Sequence, residues 1–235
     1  IVEREREISA FAEESKFRVY AQFTGGGKSF RAELNTRFNT LDEATAFLNH
    51  CKDSSFKVDQ VQVKPGKKSP APPFTTSTLQ QEASRKLNFS VSQTMKLAQS
   101  LYESGKITYM RTDSVNLSSM ALSAARSVVS TEFGEEYSKT RQYQTKTKGA
   151  QEAHEAIRPT YMQNRQVDGP KPEQKLYELI WKRAVASQMA DAKTEKSIID
   201  IGVSNSKYRF IAEGEFILFD GFLKLYLESV DDDNS

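Results

Sequence analysis

Four of the seven prolines fall between Pro65 and Pro73, and neither a straight helix nor a central strand runs through such a cluster, because each proline removes a backbone donor and fixes φ. The residues on its two sides follow different periods. Before it, Phe17-Arg-Val-Tyr-Ala-Gln-Phe23 and Phe30-Arg-Ala-Glu-Leu34 alternate around Thr24-Gly-Gly-Gly-Lys-Ser29, which predicts a β-hairpin. Thr40 with Glu43 makes a capping-box pattern ahead of Ala44-Thr-Ala-Phe-Leu48, so a short helix follows, and 56–63 reads as a strand.

Beyond the prolines the period becomes helical. Thr78 with Gln81 is expected to cap a helix over 79–87, Ser92 to cap a second one reaching about Glu103, and Gly105 to end it. The β-leaning Ile107-Thr-Tyr-Met110 comes next, giving a helix, helix, strand order like that of a winged-helix unit. Helices are predicted near 118–132 and 172–190; in the latter Leu176, Tyr177, Ile180, Trp181, Ala184 and Val185 share one face, a core stripe. From Lys196 the alternation returns, in 197–203 and 208–212. The expected fold is therefore α+β with two domains: a discontinuous β-rich domain (1–70 and 193–235) and a mainly helical, winged-helix-like domain (71–192) inserted into it.

The 37% of hydrophobic residues suffices for a buried core. No apolar run approaches the ~20 residues of a membrane span, and the N-terminus lacks a signal-peptide core. The lone Cys51 allows no internal disulfide and fits a reducing cytoplasm. The net charge of +2 is uninformative as a total, but the stretch from Lys64 to Asp113 carries eight basic and three acidic residues. That concentration tilts the expectation toward a polyanionic partner.

Gly25-Gly-Gly-Lys-Ser29 is not a phosphate-binding loop: Gln22 stands where the first glycine of that motif belongs, and the segment joins two strands. His50 and His154 lie far apart, and His154-Glu-Ala-Ile-Arg158 lacks a second histidine, so no metal site is expected in the chain. The acidic run Asp231-Asp-Asp233 reads as a solvated tail.

Tyr109, in Gly105-Lys-Ile-Thr-Tyr-Met-Arg-Thr-Asp-Ser114, stands apart. An isolated strand tyrosine is ordinarily a packing residue. Strand geometry, however, sets Arg111 on the same face, where a guanidinium favours the phenolate that attacks phosphorus and neutralises phosphate oxygens. By the bland reading Arg111 is a solvent-facing charge, His154 a structural hydrogen-bonding residue and Asp113 a turn residue.

Three segments, Pro73-Phe-Thr-Thr-Ser-Thr-Leu-Gln-Gln81, Gly105 to Ser114, and Ala150-Gln-Glu-Ala-His-Glu-Ala-Ile-Arg-Pro159, resemble signature segments of the bacterial type IA DNA topoisomerases, in that family's order. The flanking β-rich segments resemble the family's arch, so the resemblance covers nearly the whole chain. It implies that Tyr109 attacks single-stranded DNA, becomes linked to the 5′ phosphate and releases a 3′ hydroxyl. Another strand passes and the break reseals without ATP, relaxing negatively supercoiled DNA. Arg111 would hold the scissile phosphate; His154 would contact DNA at the same site, with Asp113 as its orienting partner. The role of Arg158 stays open. The resemblance also implies Mg2+ bound by a TOPRIM domain earlier in the polypeptide; no matching carboxylate cluster is recognisable here. The chain is thus expected to be a central fragment, unable to relax DNA alone, of a cytoplasmic, nucleoid-associated bacterial enzyme.

Two other readings compete. Tyrosine recombinases also join a tyrosine to DNA, but there the tyrosine follows a His-x-x-Arg element, whereas Tyr109 precedes His154 and the spacing to Arg158 is one residue too long. A noncatalytic winged-helix DNA-binding module would account for the basic stretch without a reactive tyrosine.

Overall fold

The glycine-rich stretch is a two-residue turn in which Gly26 and Gly27 both take positive φ (57° and 76°), the backbone that joins twisted antiparallel strands without splaying them. In the computed structural model, which describes residues 1–11, 15–144 and 155–227, this turn links β1 (Phe17–Gly25) to β2 (Lys28–Phe38) with Phe23 opposite Phe30 and Ala21 opposite Ala32. The protein is mixed α/β. Its five-stranded sheet has the order β1-β2-β5-β4-β3, with β3 at Phe56–Lys68, β4 at Ala192–Val203 and β5 at Arg209–Phe219. β2 runs antiparallel to both β1 and β5, pairing Leu34 with Phe210. Pro65 lies inside β3 instead of ending it. β3 is an edge strand, where a residue lacking an N–H is tolerated.

Two compact units emerge from the contacts: Ile1–Gly66 with Glu195–Phe216, and Lys67–Thr194 with the chain from Ile217 on. In the first, the predicted capping box of Thr40 and Glu43 starts α2 (Leu41–Lys52). Its Ala44 and Phe47 join Ala32, Leu34, Phe38 and Phe210 in a small core, with the Phe47 ring 5.5 to 6.1 Å from those of Phe38, Tyr208 and Phe210. A helix that the periodicity did not single out, α1 (Val2–Ala10), buries none of its residues.

The second unit is built around α6 (Lys171–Ala186). The predicted stripe is buried, and so are Leu179, Arg183 and Ala186, so the helix is enclosed on more than one face. Trp181 is fully buried and donates its indole N–H to the Met162 carbonyl at 2.7 Å, which satisfies its one polar atom. Around α6 stand α3 (Thr76–Leu87), α4 (Val91–Glu103) and α5 (Ser119–Glu132). α4 is capped by Ser90, two residues before the expected Ser92.

The alternation after Lys196 places 193–235 in the β-rich part, but 217–227 packs with the helices. Phe222 and Tyr226 lie in the helical core, the Phe222 N–H donates to the Ala190 carbonyl at 2.9 Å, and the Tyr137 hydroxyl donates to Asp220 at 2.8 Å. The turn that directs the chain there is Gly221, at φ +51°, where a Cβ would sit 2.5 Å from the Ala190 carbonyl oxygen and 2.6 Å from the Asp191 carbonyl. Gly221→Ala therefore meets both left-handed strain and a backbone clash, and thermal unfolding should register a loss of at least ~2 kcal/mol. An unchanged midpoint would show that this turn relaxes freely.

The points where the chain enters and leaves the helical unit are held together by one carboxylate. Asp191 accepts from Lys139 (2.6 Å), pairs with Arg141 (2.7 Å) and reaches Lys67 (3.2 Å). Burial alone would raise its pKa; hydrogen bonds from Lys139, Ser69 and Lys67 and the Arg141 charge outweigh that and hold the carboxyl well below the usual range. Nearby, the Tyr143 hydroxyl donates to the Pro70 carbonyl at 2.9 Å and Arg183 Nε to the Pro72 carbonyl at 2.7 Å. The proline segment thus has its carbonyls satisfied by the unit it enters.

Candidate active site

α3 begins a turn earlier than Thr78 and Gln81 suggested. Thr75 is the cap and Thr78 its reciprocal partner, the Thr75 N–H donating to Thr78 Oγ1 at 2.9 Å, so a hydroxyl does what a Gln or Glu usually does. This start places Thr76 against the 110–112 backbone. Its hydroxyl donates to the Met110 carbonyl at 2.8 Å and accepts from the Thr112 N–H at 2.9 Å, and its own N–H donates to the Thr112 carbonyl at 2.9 Å.

On the other side of the loop, Thr108 joins the third segment. Its N–H donates to the Arg158 carbonyl at 2.9 Å, its hydroxyl donates to the Ala156 carbonyl at 2.7 Å and accepts from the Arg158 N–H at 2.9 Å. The Ile157 N–H donates to the Phe74 carbonyl at 2.8 Å. Residues 74–76, 107–112 and 156–159 are therefore one hydrogen-bonded constellation, although the sequence separates them by up to about eighty positions.

Residues 107–110 are not a strand. Two threonines satisfy the backbone by bonding two different segments, and only the isolated bridge Ile107 to Pro159 forms. Alternation survives without a ladder: Met110, Thr112 and Ser114 are buried while Tyr109, Arg111 and Asp113 are exposed. Tyr109 is 42% exposed and meets Tyr102 of α4 edge to face, with centroids 5.2 Å apart. Among the described residues, Tyr109 Oη, the Arg111 guanidinium and the Asp113 carboxylate have no hydrogen-bond or ion-pair partner. Tyr177 shows the opposite case, since burial pushes its phenol up to about 12 and its hydroxyl donates to the Asn164 carbonyl at 2.5 Å. Tyr177 holds the core together, whereas Tyr109 presents its hydroxyl to solvent.

His154 lies outside the described residues, as does the acidic run 231–233. The residue that follows it, Glu155, is anchored: it accepts from the Ser118 N–H at 2.6 Å and pairs with Arg158 at 2.5 Å. Burial would raise the Glu155 carboxyl, but these hydrogen bonds prevail and lower it. Arg158, whose role the sequence left open, also donates to the Pro159 carbonyl at 2.8 Å, and so fastens the turn of its own segment. Sequence reasoning passed over Thr76, Thr108 and Glu155. The available signal was their place within the three motifs, not their residue type.

Among the described residues no three His, Cys, Asp or Glu side chains converge.

A family profile for DNA topoisomerase matches residues 1–235, and the chain belongs to that family. It is 45% identical to DNA topoisomerase 1 of Zymomonas mobilis over 99% of its length and 20% of that protein, and 49% identical to DNA topoisomerase 1 of Streptomyces coelicolor over 83% of its length and 22% of that protein. Full-length topoisomerase I from Thermotoga maritima superposes with a TM-score of 0.77 at 34% identity, covering 99% of this chain and 40% of that one. The chain thus spans well under half the length of these relatives. No helix among the described residues is long and apolar enough to cross a membrane.

Proposed function

We propose that the chain is the nucleophile-bearing part of a type IA DNA topoisomerase acting on single-stranded segments of negatively supercoiled DNA. Its two units then correspond to part of a β-rich arch and an inserted, winged-helix-like domain carrying Tyr109. The observation that carries this reading is the convergence of three separated motif segments on an exposed tyrosine flanked by an exposed arginine, neither hydrogen-bonded nor ion-paired to other described groups.

In the proposed reaction the Tyr109 oxygen forms a bond to a backbone phosphorus as the bond from phosphorus to the 3′ oxygen breaks. The phenolic proton leaves to solvent or a base, and the departing oxygen takes up a proton as a 3′ hydroxyl. Arg111 neutralises the non-bridging oxygens. His154, with Asp113, supports the same phosphate. The bond energy is kept in the phosphotyrosyl ester, so attack by the 3′ hydroxyl reseals the strand without ATP. Mg2+, a TOPRIM region and relaxation belong to the longer polypeptide, so the 235-residue chain is expected not to relax plasmid by itself; relaxation by the purified chain would overturn this.

Thr76 is the positioning residue of this scheme, because its hydroxyl bonds the backbone on both sides of Arg111. Thr76→Val should cut covalent adduct formation by the full-length protein about 10 to 100-fold, in line with the cost of small misplacements, while Thr76→Ser stays near wild type. Equal losses in both variants would mean that packing, not the hydroxyl, sets the loop.

A further inference from the structure

Beside the Tyr109 loop, and wholly within the helical unit, a cleft of ≈ 810 Å3 is lined by Lys106, Arg165, Lys171 and Lys175 against Asp168 and Glu178. Glu178 is already paired with Lys182, at 2.7 Å. The Lys106 ammonium donates to the Asp168 carbonyl at 2.6 Å, which fixes one wall, and Arg165 reaches Glu132 at 3.5 Å. Lys171 and Lys175 are exposed and make no hydrogen bond or ion pair among the described residues. The cleft therefore presents uncompensated positive charge.

Its surroundings narrow the ligand. Lys106 is three residues from Tyr109, and its carbonyl accepts from the Thr160 N–H at 3.0 Å, so the 159–168 segment leads from the Tyr109 loop to the cleft. Tyr161 of that segment is 64% exposed, and Tyr102 of α4, which meets Tyr109, and Tyr109 itself are 40% and 42% exposed. Exposed aromatic faces next to a cationic groove suit single-stranded nucleic acid: unpaired bases stack on the rings while the backbone follows the charges. Neither an isolated phosphate nor an acidic peptide would use both features.

We propose that this cleft carries the sugar–phosphate backbone of a single DNA strand, with bases over Tyr161 and Tyr102, as the strand runs away from Tyr109. The proposal deepens the topoisomerase reading and rests on it for the direction of the strand. Lys171 and Lys175 each contact a phosphate, and Tyr161 is the first stacking platform beyond the reacting tyrosine.

The test is fluorescence anisotropy of the 235-residue chain with a labelled oligothymidylate of about 16 nucleotides, across about 0.05 to 0.2 M salt. Lys171→Glu with Lys175→Glu should weaken binding at least ~30-fold and flatten the salt slope by about 1.4, the loss expected for two single-strand phosphate contacts. Tyr161→Ala should cost about 10-fold. A matched reversal in the other unit, Lys28→Glu with Lys57→Glu, should cost less than about 3-fold. Equal losses in the two reversals, retained affinity in the cleft variant, or no binding by the wild-type chain would each overturn the cleft. Adduct formation at Tyr109 by the full-length protein is scored separately on denaturing gels. Failure there refutes the nucleophile and leaves the binding comparison standing.

Discussion

Tyr109→Phe in the full-length protein is expected to abolish the covalent adduct with labelled single-stranded DNA and to lower plasmid relaxation by at least ~1000-fold, with thermal stability unchanged. The chemical part follows from the proposed reaction, in which the Tyr109 oxygen forms the ester. The stability part follows from geometry. Tyr109 Oη has no partner among the described residues and the residue is 42% exposed, so loss of the hydroxyl leaves no buried group unsatisfied and is expected to fall within about 0.5 kcal/mol. Both readouts are needed, because an unfolded variant would also lose activity. A noncatalytic DNA-binding module predicts no adduct in either protein; an adduct persisting in the phenylalanine variant would transfer the chemistry to another residue. Linkage of Tyr109 to a 3′ phosphate instead of a 5′ phosphate would favour the recombinase chemistry.

Asp191→Asn should lower the melting temperature of the helical unit by roughly 6 to 12 °C near neutral pH. Asp191 is 10% exposed and faces Lys139, Arg141 and Lys67, so removing its charge strands cations that were paired, at about 3 kcal/mol. Lys67, whose side chain is 60% exposed, contributes far less, and Lys67→Gln should cost under about 1 kcal/mol. The pH dependence has a defined sign. The folded-state pKa of Asp191 is depressed, so its contribution is fully present above the unfolded carboxylate value of about 3.9 and is lost as pH falls through the lower folded value. The gap between wild type and Asp191→Asn should accordingly be constant from neutral pH to about 5 and narrow in stronger acid. A gap that widens on acidification would contradict the assignment of Asp191 as the ionised centre of this cluster.

That cluster bears on how a domain carrying Tyr109 could move. Lys67 lies at the entry to the helical unit and Asp191 at its exit, and both are bound within that unit. Tyr143 and Arg183 hold Pro70 and Pro72 in the same way. A hinge anywhere in 67–73 would have to break these bonds. Any flexing of the chain at the borders of this unit is therefore expected on the sheet side of Lys67 and Thr194.

Much of the local structure was legible in the amino-acid order. The period-two runs became β1 and β2, Thr40 with Glu43 capped α2, and the apolar stripe of α6 was buried, because periodicity and capping act within a few residues. The boundary errors had local causes as well: threonine and serine offer several caps within one turn, so Thr75 and Ser90 displaced Thr78 and Ser92. The strand expected at 107–110 failed for a nonlocal reason. Its apolar alternation is real, but whether an extended segment joins a ladder depends on what lies beside it, and here two threonines and two separate segments do.

The sequence by itself determined the mixed α/β composition, the family, and the choice of Tyr109 and Arg111 as the residues to watch. Only the tertiary structure decided that Thr76, Thr108 and Glu155 lock the segments around them, that Asp191 ties entry to exit, and that 217–227 turns at Gly221 into the helical core. The physical reason is one of range. Side-chain periodicity and capping are written in neighbouring residues, whereas hydrogen bonds and ion pairs between residues 32 to 124 positions apart form only after packing has closed the intervening chain.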